Sequence, residues 1–244
     1  MKIGVKHIVC VLIALLCTIA SYAYDFEVDG IYYNKITGTD NEVEVASRPW
    51  IYSGNITIPK NIMVEDVSYL VSGIADNAFH GCSKVISIEL PNSIKYIGAT
   101  AFDYCTSLVS IEIPNSVVTI GDEAFSNCTR LTSVKLGDGI TSMGDHVFWI
   151  CEKLTSIEIP NSVTTIGEGC FESCIGLKSV VLSNSINKIC PKVFSGCTGL
   201  STIIIPDGVT SIGANAFVFC TSLESVVIPN SVTFIGEGAF NGCI

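Results

Sequence analysis

Hydrophobic and polar positions follow a fixed period of 23 residues over most of this chain. The stretch SIEIPNSVTTIGEGCFESC, residues 156–174, has near copies from about residue 70 to the end. Its closing cysteine has a phenylalanine three residues before it and recurs at Cys82, Cys105, Cys128, Cys151, Cys174, Cys197, Cys220 and Cys243. A repeat of this length without insertions is typical of a solenoid, in which each unit buries its apolar side against its neighbours.

Alternation within each unit predicts a short β-strand. Ile157 and Ile159 are separated by one residue, which places both side chains on one face of a strand. Pro160-Asn161-Ser162 then predicts a turn, because proline presets φ and asparagine suits the next turn position. Strands of successive coils should lie parallel and about 4.8 Å apart. We therefore expect a parallel β-strand ladder along the solenoid.

The second half of each unit is predicted to lead the chain back to the next strand. Cys170, Phe171 and Cys174 stand at i, i+1 and i+4, the spacing of one inward face on a short helical turn. A coil then buries about seven apolar side chains, which contributes on the order of 10–20 kcal/mol. Ordering the coil costs at least a comparable free energy. The stack is thus the stable unit, with a parallel strand ladder and short helical or irregular returns.

Residues 24–70 depart from the repeat and are predicted to form an N-terminal cap and a divergent first coil. The segment 24–33 alternates and contains Asp29-Gly30, a strong signal for a β-hairpin. Residues 41–46 have the pattern of a further strand. Terminal repeats of a solenoid are commonly atypical. The array of 23-residue units is expected to occupy residues 71–244.

Residues 1–23 have the pattern of a secretory signal peptide. Lys2 and Lys6 precede an apolar run over residues 8–16, and small residues then suit cleavage after residue 23. The apolar run is shorter than the roughly 20 residues that a membrane-spanning helix needs. We expect no stable membrane span after cleavage and a secreted or cell-surface location. A membrane anchor and a lipid-modified Cys17 are the alternatives.

Charge and composition disfavour some partners. The formal charge is −10 and lysines and arginines form no cluster, so nucleic acid is not a predicted partner. Only 15% of the residues are charged and 48% are hydrophobic, which predicts a packed domain and not a disordered chain.

The cysteine column has three possible chemical meanings. Metal binding is disfavoured because structural zinc sites use closely spaced pairs of ligands, which cysteines 23 residues apart do not supply. Export favours disulfides, but cysteines stacked in neighbouring coils would point in parallel. We therefore interpret the cysteines of the column first of all as small, buried, hydrophobic side chains. Cys170 and Cys190 stand outside the column, and a bridge between them remains open.

The sequence contains no pattern that predicts an enzyme. Beyond residue 23 only His80 and His146 remain, in different units, and neither G-x-S-x-G, H-E-x-x-H nor a P-loop occurs. Carboxylates recur at Glu89, Glu112 and Glu158 because the repeat recurs, so we interpret them as a solvated face. We predict no catalytic residue, no cofactor and no metal.

The residue between the two inward strand positions of each coil defines an outer row along the ladder. The row changes from charged to apolar along the array: Glu89, Glu112, Lys135, Glu158, Val181, Ile204, Val227. Contiguous exposed apolar area often marks a contact site. Val181, Ile204 and Val227 are therefore candidates for binding a protein partner. The alternative is that β-branched residues simply suit an exposed strand.

The repeat resembles the BspA-like class of leucine-rich repeats. Residues 154–159, LTSIEI, fit the first half of the general leucine-rich pattern, with Ser162 where asparagine or cysteine is usual. The whole unit is similar to L-x-S-I-x-I-P-x-S-V-x-x-I-G-x-x-A-F-x-x-C. The resemblance implies a leucine-rich repeat solenoid, secreted or on the cell surface, that adheres to host matrix proteins or to other microbes. The alternative is a passive spacer that displays a missing C-terminal domain, since the array ends without a polar cap and a longer protein is expected.

Overall fold

The described chain begins with the β-hairpin that the sequence predicts. The computed structural model describes residues 24–243, so the predicted signal peptide and Cys17 lie outside the described residues. Strands β1 (Phe26–Val28) and β2 (Ile31–Lys35) pair antiparallel, and β3 (Glu42–Val45) pairs antiparallel with β2. The turn residues Asp29 and Gly30 have φ values of 51° and 77°, a region that glycine and aspartate tolerate better than most residues.

A divergent first coil joins the hairpin to the repeats. Strand β4 (Ser53–Thr57) pairs parallel with β7 (Lys84–Glu89). Strand β5 (Asn61–Val64) folds back antiparallel on β6 (Val67–Ile74), and β6 also pairs parallel with β3. The hairpin therefore shares a continuous sheet with part of the repeat array.

The coils contribute strands to a first parallel ladder, as predicted. Beyond β7 its members are β9 (Ser110–Glu112), β11 (Ser133–Lys135), β13 (Ser156–Glu158), β15 (Ser179–Val181) and β17 (Thr202–Ile203). Strands of neighbouring coils pair in register, so Ser110 lies beside Ser133. The ladder is interrupted between β11 and β13, and beyond β17 it continues through a bridge between Ile204 and Val227.

A second parallel ladder, not predicted from the sequence, runs along the return path. Its strands have two residues each: β8 (Tyr96–Ile97), β10 (Thr119–Ile120), β12 (Ser142–Met143), β14 (Thr165–Ile166), β16 (Lys188–Ile189), β18 (Ser211–Ile212) and β19 (Phe234–Ile235). Alternation cannot identify strands this short, because it needs about four residues to show.

The second ladder is interrupted between β14 and β16, where Cys190 stands in a position that glycine holds in other coils. A Cβ built on Gly167 would lie 2.4 Å from the backbone of Gly144, one coil earlier. Only glycine therefore fits at the regular coil spacing. Cys190 carries a Cβ at this position, and β16 does not pair with β14, although hydrogen bonds such as that from the Phe171 amide to the Val193 carbonyl still join the two coils.

The return segments are turns, which corrects the prediction of a helical turn over residues 170–174. The Phe171 amide donates to the Val193 carbonyl of the next coil (2.9 Å), so it is not available for a hydrogen bond within a helix. Gly169 and Ser173 have positive φ values of 58° and 61°, which reverse the chain. No helix occurs within residues 24–243, and hence none of a length and apolarity to cross a membrane.

The core contains a column of stacked aromatic rings. Phenylalanines one period apart stack from Phe79 to Phe240, with centroid separations of 5.0–5.6 Å and interplanar angles of 4–16°. The rings from Phe79 to Phe217 have no exposed surface. Tyr52 extends the column at the N-terminal end, with its ring centroid 4.7 Å from that of Phe79. Stacking of identical side chains explains why phenylalanine recurs at this position in every coil.

Candidate functional site

The cysteine column lies in the interior, beside the rings. From Cys105 onward each thiol of the column donates a hydrogen bond to the phenylalanine carbonyl of the preceding coil, at Sγ–O distances of 3.0–3.3 Å. Cys174 donates to Phe148, for example, and the same carbonyl accepts the Cys151 amide at 3.1 Å. A small side chain with a weak donor thus fills the space and occupies the second lone pair of a buried carbonyl.

Burial makes these thiols poor nucleophiles. Desolvation raises the pKa of the Cys174 and Cys220 thiols to about 12, and it raises the pKa of Cys128 and Cys151 well above the usual range. The thiolate is the form that attacks electrophiles and binds metals. The column is therefore suited to packing and not to covalent chemistry.

The two cysteines outside the column form no bridge. All ten cysteines in residues 24–243 are free thiols, Cys170 and Cys190 included. Cys170 is fully buried, whereas Cys190 is partly exposed. Within the same residues no three histidine, cysteine, aspartate or glutamate side chains come together as a possible metal site.

The outer row lies on the exposed face of the first ladder, where the sequence places it. All seven of its side chains are exposed. Strand pairing sets its members side by side, with Glu112 beside Lys135 and Glu158 beside Val181. The row is therefore a continuous line of side chains, except at the interruption between β11 and β13.

Val181, Ile204 and Val227 form the apolar end of the outer row. They are 59%, 81% and 82% exposed, respectively. The exposed residues two positions earlier in the same coils are hydroxylic: Ser179, Thr202 and Ser225. An exposed apolar strip with a polar border has the composition of a contact surface.

The charged end of the outer row is solvated, as predicted. Lys135 forms an ion pair with Glu112, and their side chains are 73% and 68% exposed. Thr57 donates to the Glu89 carboxylate at 3.2 Å. Exposed pairs of this kind contribute at most about 1 kcal/mol. Glu158 has no ion-pair partner among the described residues.

A cleft of about 290 Å³ lies within the charged end of the outer row, between Lys135 and Glu158. It lies at the interruption between β11 and β13, and Lys135, Asp138 and Glu158 are its charged lining residues. Asp138 belongs to Gly137-Asp138-Gly139, which replaces the Pro-Asn-Ser turn of most coils. An equivalent cleft of about 200 Å³ lies between Glu89 and Glu112, where the turn is Pro91-Asn92-Ser93, so the cleft does not depend on this exception.

The two histidines lie in return segments of different coils and are partly exposed. His80 Nδ1 is 3.2 Å from Asp103 Oδ2, and His146 Nε2 is 3.4 Å from Glu172 Oε2. Each imidazole thus has a local acidic neighbour from the adjacent coil. Such pairs are also common in structural networks and do not by themselves indicate catalysis.

Comparison with protein families identifies the repeat. A family model described as a BspA type leucine rich repeat region matches the chain in six copies, over residues 72–201 and 119–244. These ranges together cover more than half of the chain. A search of curated proteins found no match.

Solved structures share the solenoid and confirm the predicted fold class. A leucine-rich repeat protein from Bacteroides ovatus is 35% identical, with a TM-score of 0.82 over 90% of this chain, and this chain spans 58% of that protein. A leucine-rich repeat protein from T. pallidum is 27% identical, with a TM-score of 0.72 over 82% of this chain and 91% of that one. The pneumococcal vaccine antigen PcpA, 19% identical with a TM-score of 0.50 over 89% of this chain and 79% of PcpA, shows the fold alone. The family match and these structures indicate no enzyme family.

Proposed function

Because the chain belongs to the BspA-type leucine-rich repeat family, we propose that it is a secreted or cell-surface protein that binds other proteins and has no catalytic activity. Repeats of this kind present extended surfaces for binding. The signal-like pattern of residues 1–23 supports export. The raised pKa values of the buried thiols support a binding role over a covalent one. The proposed ligands are host matrix proteins or proteins on other microbial surfaces.

The apolar end of the outer row is the observation that carries this proposal. Val181, Ile204 and Val227 stand in line on an exposed β-ladder, and two of them are more than 80% exposed. Burying all three against a partner would contribute on the order of 5 kcal/mol. That free energy corresponds to a change in Kd of roughly three to four orders of magnitude. A partner that extends along the row beyond the apolar end must also accommodate the charged side chains there.

Substitution of Val181, Ile204 and Val227 by glutamate tests the proposal. The chain without residues 1–23 would be immobilised and exposed to an extract of extracellular-matrix proteins and to an extract of bacterial surface proteins. We expect the wild-type chain to retain defined proteins, and the triple variant to lose them with little change in its melting curve. Exposed strand positions tolerate a charged side chain, so the fold should persist.

The matched control places the same added charge beside the second ladder. Thr164, Thr210 and Thr233 are exposed immediately before strands β14, β18 and β19, and their substitution by glutamate should leave binding unchanged. Equal retention by the apolar-end variant and the wild type would exclude the outer row as the binding surface. If the wild type retains nothing from either extract, a passive spacer becomes the better description of the array.

A further inference from the structure

The return segments carry a row of side chains of their own, which we call the return row. Each coil contributes one residue, and its amide donates to a carbonyl of the next coil, as Trp50 does to His80 and Tyr104 does to Ser126, both at 3.0 Å. All members have positive φ values between 55° and 77°: Trp50, Gly81, Tyr104, Asn127, Ile150, Ser173, Gly196, Phe219 and Gly242. The return row contains none of the outer-row residues, so its role is independent of the proposed function.

Aromatic members of the return row are unexpected for this backbone conformation. Glycine and asparagine tolerate a positive φ best. Trp50, Tyr104 and Phe219 nevertheless place aromatic rings there, and these residues are 67%, 46% and 58% exposed. Core packing does not account for rings at the surface. Backbone strain that carries exposed apolar side chains is typical of a surface with a function.

Two of these rings lie two coils apart and flank a third ring. Gly81 occupies the coil between Trp50 and Tyr104, and a spacing of about 4.8 Å per coil separates the two backbones by roughly 9.6 Å. The His80 ring lies between them, with its centroid 5.4 Å from that of Trp50 and 6.1 Å from that of Tyr104. The His80 side chain is only 27% exposed. Trp50 and Tyr104 are therefore the two walls of a shallow notch with the imidazole at its base.

Gly81 sets the position of the Trp50 ring. A Cβ built on Gly81 would lie 2.4–2.5 Å from Cε3, Cζ3 and Cδ2 of Trp50, so the indole rests directly on the glycine backbone. Cε3 and Cζ3 are on the side of the indole opposite to Nε1. The Nε1–H group therefore faces away from Gly81, where a ligand can reach it.

The length of the notch matches one turn of a polyproline II helix. This helix rises about 3.1 Å per residue with three residues per turn, so side chains one turn apart are separated by about 9.3 Å. The distance between the Trp50 and Tyr104 backbones is close to this value, at roughly 9.6 Å. Side chains on one face of a β-strand repeat every 6.8 Å or so and do not match. Two proline rings one turn apart can thus contact Trp50 and Tyr104 at the same time.

The polar groups of the notch also suit such a segment. Carbonyls of a polyproline II helix accept no internal hydrogen bonds, and proline has no N–H to donate. Trp50 Nε1–H and the Tyr104 hydroxyl can donate to these carbonyls. The Asp103 carboxylate, 3.2 Å from His80, is buried and already accepts from Asn127 at 3.2 Å, so it requires no donor from the ligand.

We propose that Trp50 and Tyr104 bind a proline-rich segment of a partner protein in the polyproline II conformation. Such segments dock on surfaces lined by aromatic rings, because the helix is already formed and little conformational entropy is lost on binding. A polysaccharide is the other linear polymer that stacks on rows of rings. Its hydroxyls need acceptors as well as donors, and the buried, engaged Asp103 carboxylate does not supply one.

Binding of a fluorescein-labelled peptide of about nine prolines, three turns of the helix, tests the proposal. The chain without residues 1–23 would be titrated into the labelled peptide up to roughly 1 mM, and fluorescence anisotropy would report Kd values below that concentration. We expect saturable binding. A glycine-serine peptide of the same length should not bind, because it has no proline rings and is a flexible coil.

Trp50→Ala and Tyr104→Ala should each weaken binding of the proline peptide at least about tenfold, because each removes one wall of the notch. Phe219→Ala is the matched control. Phe219 is an exposed ring of the same row, but Ser173 and not an aromatic residue stands two coils before it. This variant should bind as the wild type does, and melting curves would show that all three variants are folded.

Gly81→Ala tests the position of the Trp50 ring and leaves the ring present. The added methyl group must displace the indole, so binding should weaken by about fivefold or more. Gly196→Ala introduces a methyl group at nearly the same φ, 71° against 69°, and its nearest neighbour is 3.5 Å away. It should not change binding. Glutamate at the apolar end of the outer row should not change it either, which separates this site from the proposed function: Val181, Ile204 and Val227.

Three results would overturn the proposal: no saturable binding of the proline peptide, equal binding of the glycine-serine peptide, or unchanged binding by Trp50→Ala and Tyr104→Ala. Titration with cellohexaose, followed by tryptophan fluorescence, examines the polysaccharide alternative. Saturable quenching by cellohexaose without binding of the proline peptide would identify a polysaccharide site in place of the proposed one.

Discussion

Raising the pH is expected to unfold this protein through its buried thiols. Seven cysteines have no exposed surface: Cys105, Cys128, Cys151, Cys170, Cys174, Cys197 and Cys220. Burial raises the pKa of each of them, to about 12 for Cys174 and Cys220 and well above the usual range for the others. Cysteine in an unfolded chain has a pKa of about 8.5. The unfolded chain therefore releases thiol protons at a pH where the folded chain keeps them.

The sign of the effect follows from this difference. The stability that depends on protonated thiols is fully present below about pH 8.5 and is lost as the pH rises toward the folded-state pKa. At about pH 9.5, one unit above the unfolded pKa, each thiol lowers the unfolding free energy by about 1.4 kcal/mol. Seven thiols together lower it by about 10 kcal/mol, which is comparable to the whole stability of a typical domain.

Urea titrations followed by far-ultraviolet circular dichroism measure this loss. They would be performed at several pH values between about 7.5 and 9.5, below the ordinary pKa of tyrosine and lysine. A phosphine reductant prevents the unfolded chains from forming disulfides. Tyr33, Tyr52 and Tyr96 also have raised pKa values, so they would add to the loss only above about pH 10.

The double variant C128A/C174A is the control, because it keeps five of the seven fully buried thiols. The variant lacks two buried side chains and should be less stable near pH 7.5, but its unfolding free energy should fall with pH by about two-sevenths less steeply than that of the wild type. An unfolding free energy that stays within about 1 kcal/mol across the whole range would refute the reasoning. It would show that the thiols ionise equally in the folded and unfolded states.

Further predictions concern the ring column, the turns and the exposed thiol. Phe171→Ala should lower the unfolding free energy by about 3–5 kcal/mol, because the ring is fully buried. Phe219→Ala, at a ring that is 58% exposed, should change it by less than about 1 kcal/mol in the same urea titration. Gly196→Ala should destabilise by about 1 kcal/mol, because Gly196 has φ 71° although its added methyl group meets no clash. Gly208→Ala has comparable space and no positive φ, so it should be neutral or stabilising by up to about 1 kcal/mol, and equal effects of the two would contradict the strain argument. Ellman's reagent should modify Cys190 before any fully buried thiol in the native protein, and it should count ten thiols after denaturation of a chain that lacks residues 1–23. A count below ten would reveal a disulfide.

Local pattern was sufficient to predict the first ladder, the hairpin and the position of the outer row. Ile157 and Ile159 alternate with exposed residues, and alternation depends only on neighbours along the strand. The hairpin follows from Asp29-Gly30 for the same reason. The exposed face of Val181 also follows, because a position in a repeat has the same environment in each coil. The sequence pattern does not show whether that face binds a partner.

Features that the sequence pattern does not predict depend on contacts between coils. The return over residues 170–174 resembles a helical turn in sequence, but the Phe171 amide is committed to the next coil. The two-residue strands exist because stacking brings segments such as Thr119–Ile120 and Ser142–Met143 together. The cleft near Asp138 is likewise a space between segments that lie apart in the sequence.

The sequence by itself determined what one coil is: its strand, its turn, its inward side chains and the period that repeats them. The tertiary structure decided how closely successive coils approach, since that distance depends on which side chains meet across the gap. Gly167 lies close to the backbone of the preceding coil, and at the coil that has Cys190 in the equivalent position the two-residue strands β14 and β16 do not pair. The interruptions of the two ladders could not be predicted from one coil, because the atoms that meet there belong to different coils.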